Sequence, residues 1–128
     1  MDKLFFVAVG GGVGAVMRYL LGVASLHRFG MGWPVGTFLA NVSGGLLMGL
    51  LVGWLAQRGG ADQERLRLLL GVGLLGGFTT FSAFSLETAL MIERRAYGEA
   101  FGYALVSVLL SVTALFTGLM LMRRFADA

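Results

Sequence analysis

Four long apolar stretches, separated by short polar connections, make up most of this chain. They cover residues 4–26, 34–56, 66–92 and 100–122, and each provides the roughly 20 mostly apolar residues that a helix needs to cross a bilayer. The connections at 27–33, 57–65 and 93–99 carry the glycine, proline and charged residues that are typical of helix ends and turns. The pattern predicts an all-α integral membrane protein with four transmembrane helices in one domain, 1–128.

Composition supports the membrane interpretation and narrows the chemistry. Hydrophobic residues make up 57 % and charged residues 13 % of the 128 positions, too few charges to cover a soluble protein of this apolarity. The chain has no cysteine and one histidine, His27, which excludes disulfides, thiol catalysis and multi-histidine metal sites. The basic residues are scattered at span ends, a pattern that favours membrane flanks over a nucleic-acid surface. We expect neither an enzyme nor a nucleic-acid partner.

A cleaved signal peptide is the alternative for the first stretch. Lys3 resembles a charged leader, and the residues around Ala24 form a weak cleavage site. Arg18 interrupts the apolar segment, however, and three further spans follow. We therefore interpret the first stretch as a retained span.

The basic residues orient the chain only weakly. Four spans place both termini on one side of the membrane, and positive charge is enriched on cytoplasmic faces. The modest bias predicts a cytoplasmic N-terminus but allows insertion both ways, so two copies can pair head to tail. The two sides carry Lys3, Arg58, Arg65, Arg67, Arg123 and Arg124, against Arg28, Arg94 and Arg95.

Small residues recur at four-residue spacing in the first two spans. Such notches let helices approach closely in lipid. The run of glycines from Gly10 resembles a dinucleotide-binding loop, but neither the strand nor the soluble helix that this motif requires is present. We therefore predict helix-packing notches at Gly10 and Gly14, and along the second span at Gly36, Ala40 and Gly44, and at Gly45, Gly49 and Gly53.

Polar side chains inside the second and fourth spans allow two interpretations each. Asn41 is an amide in hydrocarbon, which is costly unless it finds a partner. It forms either an interhelical hydrogen bond or a donor facing a pore. Tyr103, Ser107 and Ser111 follow one another at four-residue spacing along the fourth span. They form either back-bonds to their own helix or a polar track along a pore.

The third span contains a poor helix centre. Gly76 and Gly77 precede two threonines in the middle of the apolar stretch, where glycine and β-branched residues weaken a helix. We predict a helix break at mid-membrane, which presents carbonyls that suit a cation and a helix N-terminus that suits an anion. Phe81 and Phe84 lie beside this break, three residues apart.

Three segments resemble the signatures of a known family, the small fluoride channels called Fluc or CrcB. Residues 11–19, GGVGAVMRY, resemble GGxxGAxxR(Y/W), and residues 36–41, GTFLAN, resemble GTLxVN. Residues 76–85, GGFTTFSAFS, resemble GGxTTFSTFS, the most specific of the three. Ala40 and Ala83 replace the usual valine and threonine. The resemblance covers the whole chain in length, span count and motif order.

The resemblance implies a passive fluoride channel that protects the cell from fluoride. It implies an antiparallel, dual-topology homodimer in the cell's inner membrane, with the third helix of each copy broken. It also implies a structural Na⁺ at the dimer interface, held by the backbone carbonyls of Gly76 and Thr79. By motif position it assigns the fluoride pathway to Arg18, Asn41, Phe81, Ser82, Phe84, Tyr103, Ser107 and Ser111.

These residue types suit a small anion. Aromatic rings carry a positive edge, so rings can meet an anion without a full charge that would trap it. Amide and hydroxyl donors replace part of the lost hydration shell, and conduction needs binding that is also easily released. Glu87, an acid after the phenylalanine block, is left without a role.

Two other functions remain as alternatives. A small multidrug transporter also has four spans, but proton-coupled export needs an acid in the first span, where this chain has Arg18; its one intramembrane acid, Glu87, lies in the third. A structural membrane subunit fits the composition, but it gives the break in the third span no purpose.

Overall fold

A computed structural model describes residues 2–30, 32–57 and 60–127, which form helices joined by short turns. Four helical stretches are long and apolar enough to cross a membrane, which confirms the predicted number of spans. These are Asp2–Phe29, Val35–Leu55, Asp62–Glu93 and Tyr97–Phe125. Arg58, counted above among the basic residues, lies outside the described residues.

We number the helices in chain order. The third, α3 (61–78), joins an α-helical start, Ala61–Leu66, a π-helical stretch, Arg67–Leu75, and a last turn, Gly76–Phe78. The others are α1, Asp2–Phe29; α2, Val35–Leu55; α4, Phe81–Glu93; and α5, Tyr97–Asp127.

The connections are shorter than the sequence predicts. Helix α1 continues to Phe29, which places His27 in its last turn and not in a loop. Helix α3 begins at Ala61, inside the predicted connection 57–65. Asp62 and Glu64 lie in its first turn, where negative charge stabilises a helix N-terminus. Charged residues therefore extend these helices beyond their apolar cores.

Glycines set the helix packing, as predicted. A Cβ added at Gly10 or Gly14 would collide with the backbone of α3, so α1 and α3 lie backbone to backbone. In the same way, Gly45 and Gly49 of α2 lie directly against carbonyl oxygens of α5. These close approaches supply the packing that holds helices together in lipid.

Between α3 and α4 the backbone is extended for two residues. Thr79 has φ −86° and ψ 157°, and Thr80 has φ −152° and ψ 124°. The Thr80 hydroxyl accepts a hydrogen bond from the Ala83 amide at 3.1 Å, and this N-cap starts α4. The extended pair lies near the middle of the apolar stretch Asp62–Glu93.

The interior at one end of the molecule is aromatic. Tyr103 is 1 % exposed, and Trp33, Phe38 and Phe84 pack around the small core that it forms with its neighbours. The Trp33 ring meets the Tyr103 ring edge-on, with centroids 5.1 Å apart. This cluster fixes the start of α2 against α4 and α5.

Candidate functional site

A groove of about 430 Å³ lies where α2, the start of α4 and α5 meet. Of the residues that the structure describes along it, none is charged. Its lining includes Asn41, Thr79, Thr80, Phe81, Phe84, Ser107 and Ser111. The groove therefore brings together five of the eight residues assigned to the pathway by resemblance.

Asn41 joins α2 to the extended segment by two hydrogen bonds. Its Nδ2 donates to the Thr80 carbonyl at 3.0 Å, and its Oδ1 accepts from the Thr80 amide at 2.7 Å. The structure thus bears out the interhelical interpretation of this amide. An amide nitrogen has two protons, so the side chain, which also lines the groove, has one donor beyond this pair. A role in conduction remains a prediction.

Phe81 and Phe84 follow the extended segment on the first turn of α4. Their ring centroids lie 5.6 Å apart with 43° between the planes. Phe81 is 77 % exposed, whereas Phe84 is half-buried and lies 5.2 Å from the Tyr103 ring. The two rings therefore lead from the open side of the groove toward the aromatic interior.

The hydroxyls of Ser107 and Ser111 are buried and, within the described part of the chain, have no hydrogen-bond partner. This separates them from Thr117, whose hydroxyl donates to the Thr113 carbonyl of its own helix. An unsatisfied buried hydroxyl costs about 1–3 kcal/mol. Both residues also line the groove, so two hydroxyls without a described partner lie beside it.

Glu87 has two hydrogen-bond partners that the sequence does not predict. Its Oε1 accepts from the Thr37 hydroxyl at 2.5 Å, and its Oε2 accepts from the Tyr103 hydroxyl at 3.0 Å. Sequence reasoning assigns no role to Thr37. The available signal is its position one turn before Asn41 on α2, which places both on the same side of the helix.

Three residues assigned by resemblance lie apart from the groove lining. Arg18 on α1 donates from Nε to the Gly77 carbonyl at 3.2 Å, so it binds the end of α3. Ser82 is exposed, and its hydroxyl lies 3.1 Å from that of Thr80. Tyr103 lies behind Phe84 and touches Glu87. Their parts in a pathway remain predictions.

The carbonyls around the extended segment fall into two groups. Those of Gly77 and Thr80 accept from Arg18 and Asn41. No hydrogen bond between elements, within the described residues, uses those of Gly76 and Thr79. Among the described residues, no three histidine, cysteine or carboxylate side chains lie together so that they could hold a metal ion. A cation at this segment would therefore depend on neutral oxygen ligands.

Comparison with known proteins identifies relatives over nearly the whole chain. A family model described as CrcB-like protein, Camphor Resistance (CrcB), matches residues 5–119. A relative from Phenylobacterium zucineum (strain HLK1) is 68 % identical over 124 residues, covering 97 % of this chain and 98 % of the relative. One from Caulobacter sp. (strain K31) is 65 % identical over 124 residues, covering 97 % of each.

A more distant relative gives the same result. The protein from Novosphingobium aromaticivorans is 57 % identical over 128 residues, covering 98 % of this chain and all of the relative. Each of the three is named fluoride-specific ion channel FluC. With four helices able to cross a membrane and a family match over most of its length, this chain is a multi-pass membrane protein that belongs to the CrcB family.

Proposed function

We propose that this chain is a fluoride-selective channel that lets fluoride leave the cell passively and so protects it from fluoride toxicity. The observation that carries the proposal is the groove: two residues of its lining have buried hydroxyls without partners in the described structure, and no charged residue is described along it. The names of the close relatives support the same function and no catalytic one.

The chemistry of the groove suits a small, strongly hydrated anion. Hydroxyl and amide donors replace water molecules one at a time, and the positive edges of Phe81 and Phe84 add weaker attraction. The N-terminus of α4, which begins at Phe81, adds the positive end of a helix dipole. None of these groups carries a full charge, so the anion is held weakly enough to move on.

The proposal places the channel in the inner membrane. Hydrogen fluoride crosses lipid as a neutral acid and dissociates in a more alkaline cytoplasm, where the anion becomes trapped. A negative-inside potential then drives fluoride outward through any selective pore. Passive export of this kind needs no energy source beyond the membrane potential.

The proposal includes an antiparallel, dual-topology homodimer with a Na⁺ between the broken third helices. Three apolar residues of the groove lining, Phe81, Val108 and Val112, are exposed in the single chain, which supports a second copy that completes the pathway. The carbonyls of Gly76 and Thr79, which accept no hydrogen bond from another element within the described residues, fit a neutral oxygen site for Na⁺. When bound, the ion would supply only charge and cross-linking between the two helices.

Fluoride efflux from liposomes tests the channel directly. Liposomes containing the purified protein are loaded with potassium fluoride or potassium chloride and followed with ion-selective electrodes. On addition of a potassium ionophore, we expect rapid loss of fluoride and retention of chloride. Retention of both anions by a demonstrably folded protein, or equal loss of both, would contradict the proposal.

Single cysteines test the dual topology, because the natural chain has none. Gly98→Cys, at the start of α5, adds a side chain where nothing lies within 4 Å, and Asp62→Cys marks the opposite end. A membrane-impermeant thiol reagent added to intact cells should label about half of each variant. Complete labelling of one variant and none of the other would show a single orientation instead.

A further inference from the structure

A second cavity, separate from the groove, lies at the end of the molecule where α2 begins and α4 ends. It measures about 350 Å³ and is lined by Trp33, Thr37, Glu87 and Arg94, among others. We call it the mouth cavity. Glu87 lies on α4, and Arg94 is the residue that follows the end of this helix. The two are seven residues, or about two helical turns, apart, so the cavity has an acid at its inner end and a base beyond the helix end.

One layer of side chains separates the mouth cavity from the groove. Phe84 lines the groove and Glu87 lines the mouth cavity, and both contact Tyr103. The Tyr103 ring lies 5.2 Å from the Phe84 ring, and its hydroxyl donates to Glu87 at 3.0 Å. Tyr103 therefore lies between the groove and the mouth cavity.

The two charged residues that line the mouth cavity differ in how firmly neighbouring groups hold them. Both oxygens of Glu87 accept hydrogen bonds, from Thr37 and Tyr103, which holds the carboxylate in place. Arg94 pairs with Glu99 at 3.4 Å, but the two side chains are 55 % and 36 % exposed. Exposed pairs of this kind are weak, so the guanidinium keeps much of its effect on other ions.

An anion that leaves the groove past Tyr103 meets the negative charge of Glu87. A nearby positive charge offsets that repulsion and raises the local anion concentration. Arg94 is the described cation that lines this cavity. Arg95, the next residue, is not part of the lining, although it carries the same charge.

Building on the proposed function, we propose that the mouth cavity is one end of the fluoride pathway and that Arg94 sets its electrostatic potential. Arg94 acts here on the approaching anion through space and through its balance of Glu87. One unit charge close to the path changes the local anion concentration by about threefold in water. This effect fades with salt, because the screening length falls from about 30 Å at 0.01 M to about 8 Å at 0.15 M.

The test replaces the charge and then restores it chemically. Arg94→Cys and Arg95→Cys are each made in the cysteine-free chain, and fluoride conductance is recorded in planar bilayers at about 10 mM and about 300 mM ionic strength. We expect R94C to lower conductance about threefold at low salt and little at high salt. R95C should lower conductance less than R94C at low salt, because Arg95 does not line the cavity, and should stay close to wild type at high salt.

Thiol reagents of opposite charge on the same protein separate electrostatics from folding. A cationic methanethiosulfonate should raise the conductance of R94C at low salt, and an anionic one should lower it further. Opposite signs cannot arise from a general loss of structure. If R94C fails to assemble, Arg94→Lys with near wild-type conductance and Glu99→Gln with raised conductance at low salt test the same charge.

Each other result overturns the inference. Equal effects at positions 94 and 95, a loss at R94C that salt does not change, or insensitivity to reagent charge would each remove Arg94 from the pathway. Absence of any wild-type fluoride current would overturn the proposed function and this inference together. A normal wild-type current with an insensitive R94C would overturn this inference alone.

Discussion

The groove and the mouth cavity lie on either side of Tyr103, but they differ in whether their polar groups have hydrogen-bond partners. In the groove, Ser107 and Ser111 are buried without partners in the described structure. In the mouth cavity, Glu87 has a donor on each carboxylate oxygen. The groove leaves neutral donors available, whereas the mouth cavity holds charges that are already partnered.

This difference indicates that the two spaces have different roles along one fluoride pathway. Donors without partners bind an anion because the new hydrogen bonds offset the free-energy cost of burying those donors. They hold it weakly because they carry no net charge. Partnered charges cannot wrap around the ion, but they set the potential through which it moves. In this account the groove sets selectivity and the mouth cavity adjusts the rate of entry and exit.

The largest expected effect comes from placing a charge in the groove. Asn41→Asp removes the donor that binds the Thr80 carbonyl and adds a negative charge to the lining. We expect fluoride efflux to fall below detection. Gln63→Glu is the matched control, because this amide also donates to a backbone carbonyl, that of Leu55, but lies outside the groove. Unchanged efflux in N41D would remove Asn41 from the pathway.

The phenylalanines give the next largest effect. Phe81→Ile or Phe84→Ile keeps an apolar side chain but removes the positive ring edge. We expect efflux to fall about a hundredfold, equivalent to two steps of about 1.4 kcal/mol, while the protein remains folded by size-exclusion chromatography. Phe125→Ile, at an exposed ring near the end of α5, should leave efflux unchanged. Near-normal efflux in both groove variants would contradict the role of the rings.

Tyr103→Phe tests the layer between the two spaces. It removes one of the two hydrogen bonds to Glu87, and a hydrogen bond to a charged group contributes about 1.5–3 kcal/mol. We expect the free energy of unfolding to fall by about 2 kcal/mol in a denaturant titration in detergent. Tyr97→Phe, at an exposed ring, should show no change. Equal stability of the two variants would mean that Glu87 does not depend on Tyr103.

The serines give the smallest but most diagnostic effect. Ser107→Ala removes a hydroxyl without a partner in the described structure, so stability should stay equal or rise. Efflux should fall about fivefold, because one donor worth about 1 kcal/mol is lost from the path. Thr117→Ala removes a hydroxyl that is bonded within its own helix and should leave efflux unchanged. Loss of stability in S107A with normal efflux would mean that the Ser107 hydroxyl serves the fold and not the anion, which would contradict the difference drawn between the groove and the mouth cavity.

The sequence predicts the spans and the packing positions well, because both follow local rules. Apolar runs of sufficient length identify all four spans. Glycines at four-residue spacing identify where backbones touch, as Gly10 and Gly49 show. Charged helix ends are less well predicted: α3 begins at Ala61, since acidic residues stabilise a first turn that an apolar scan does not register.

The candidate site is predictable only in part, because its geometry comes from contacts distant in sequence. The two hydrogen bonds between Asn41 and Thr80 join α2 to the extended segment, 39 positions away in sequence, and the sequence leaves Asn41 with two interpretations. Glu87, on α4, has its partners on two other helices: Thr37 on α2 and Tyr103 on α5. The π-helical stretch Arg67–Leu75 has no sequence signal that we recognise.

The reversal potential across a planar bilayer, with fluoride on one side and chloride on the other, tests the central claim most directly. A groove of neutral donors that selects a small anion predicts a current carried by fluoride alone, so the reversal potential should move far toward the fluoride equilibrium potential. A reversal potential near zero, which means that both halides pass equally, would contradict the account.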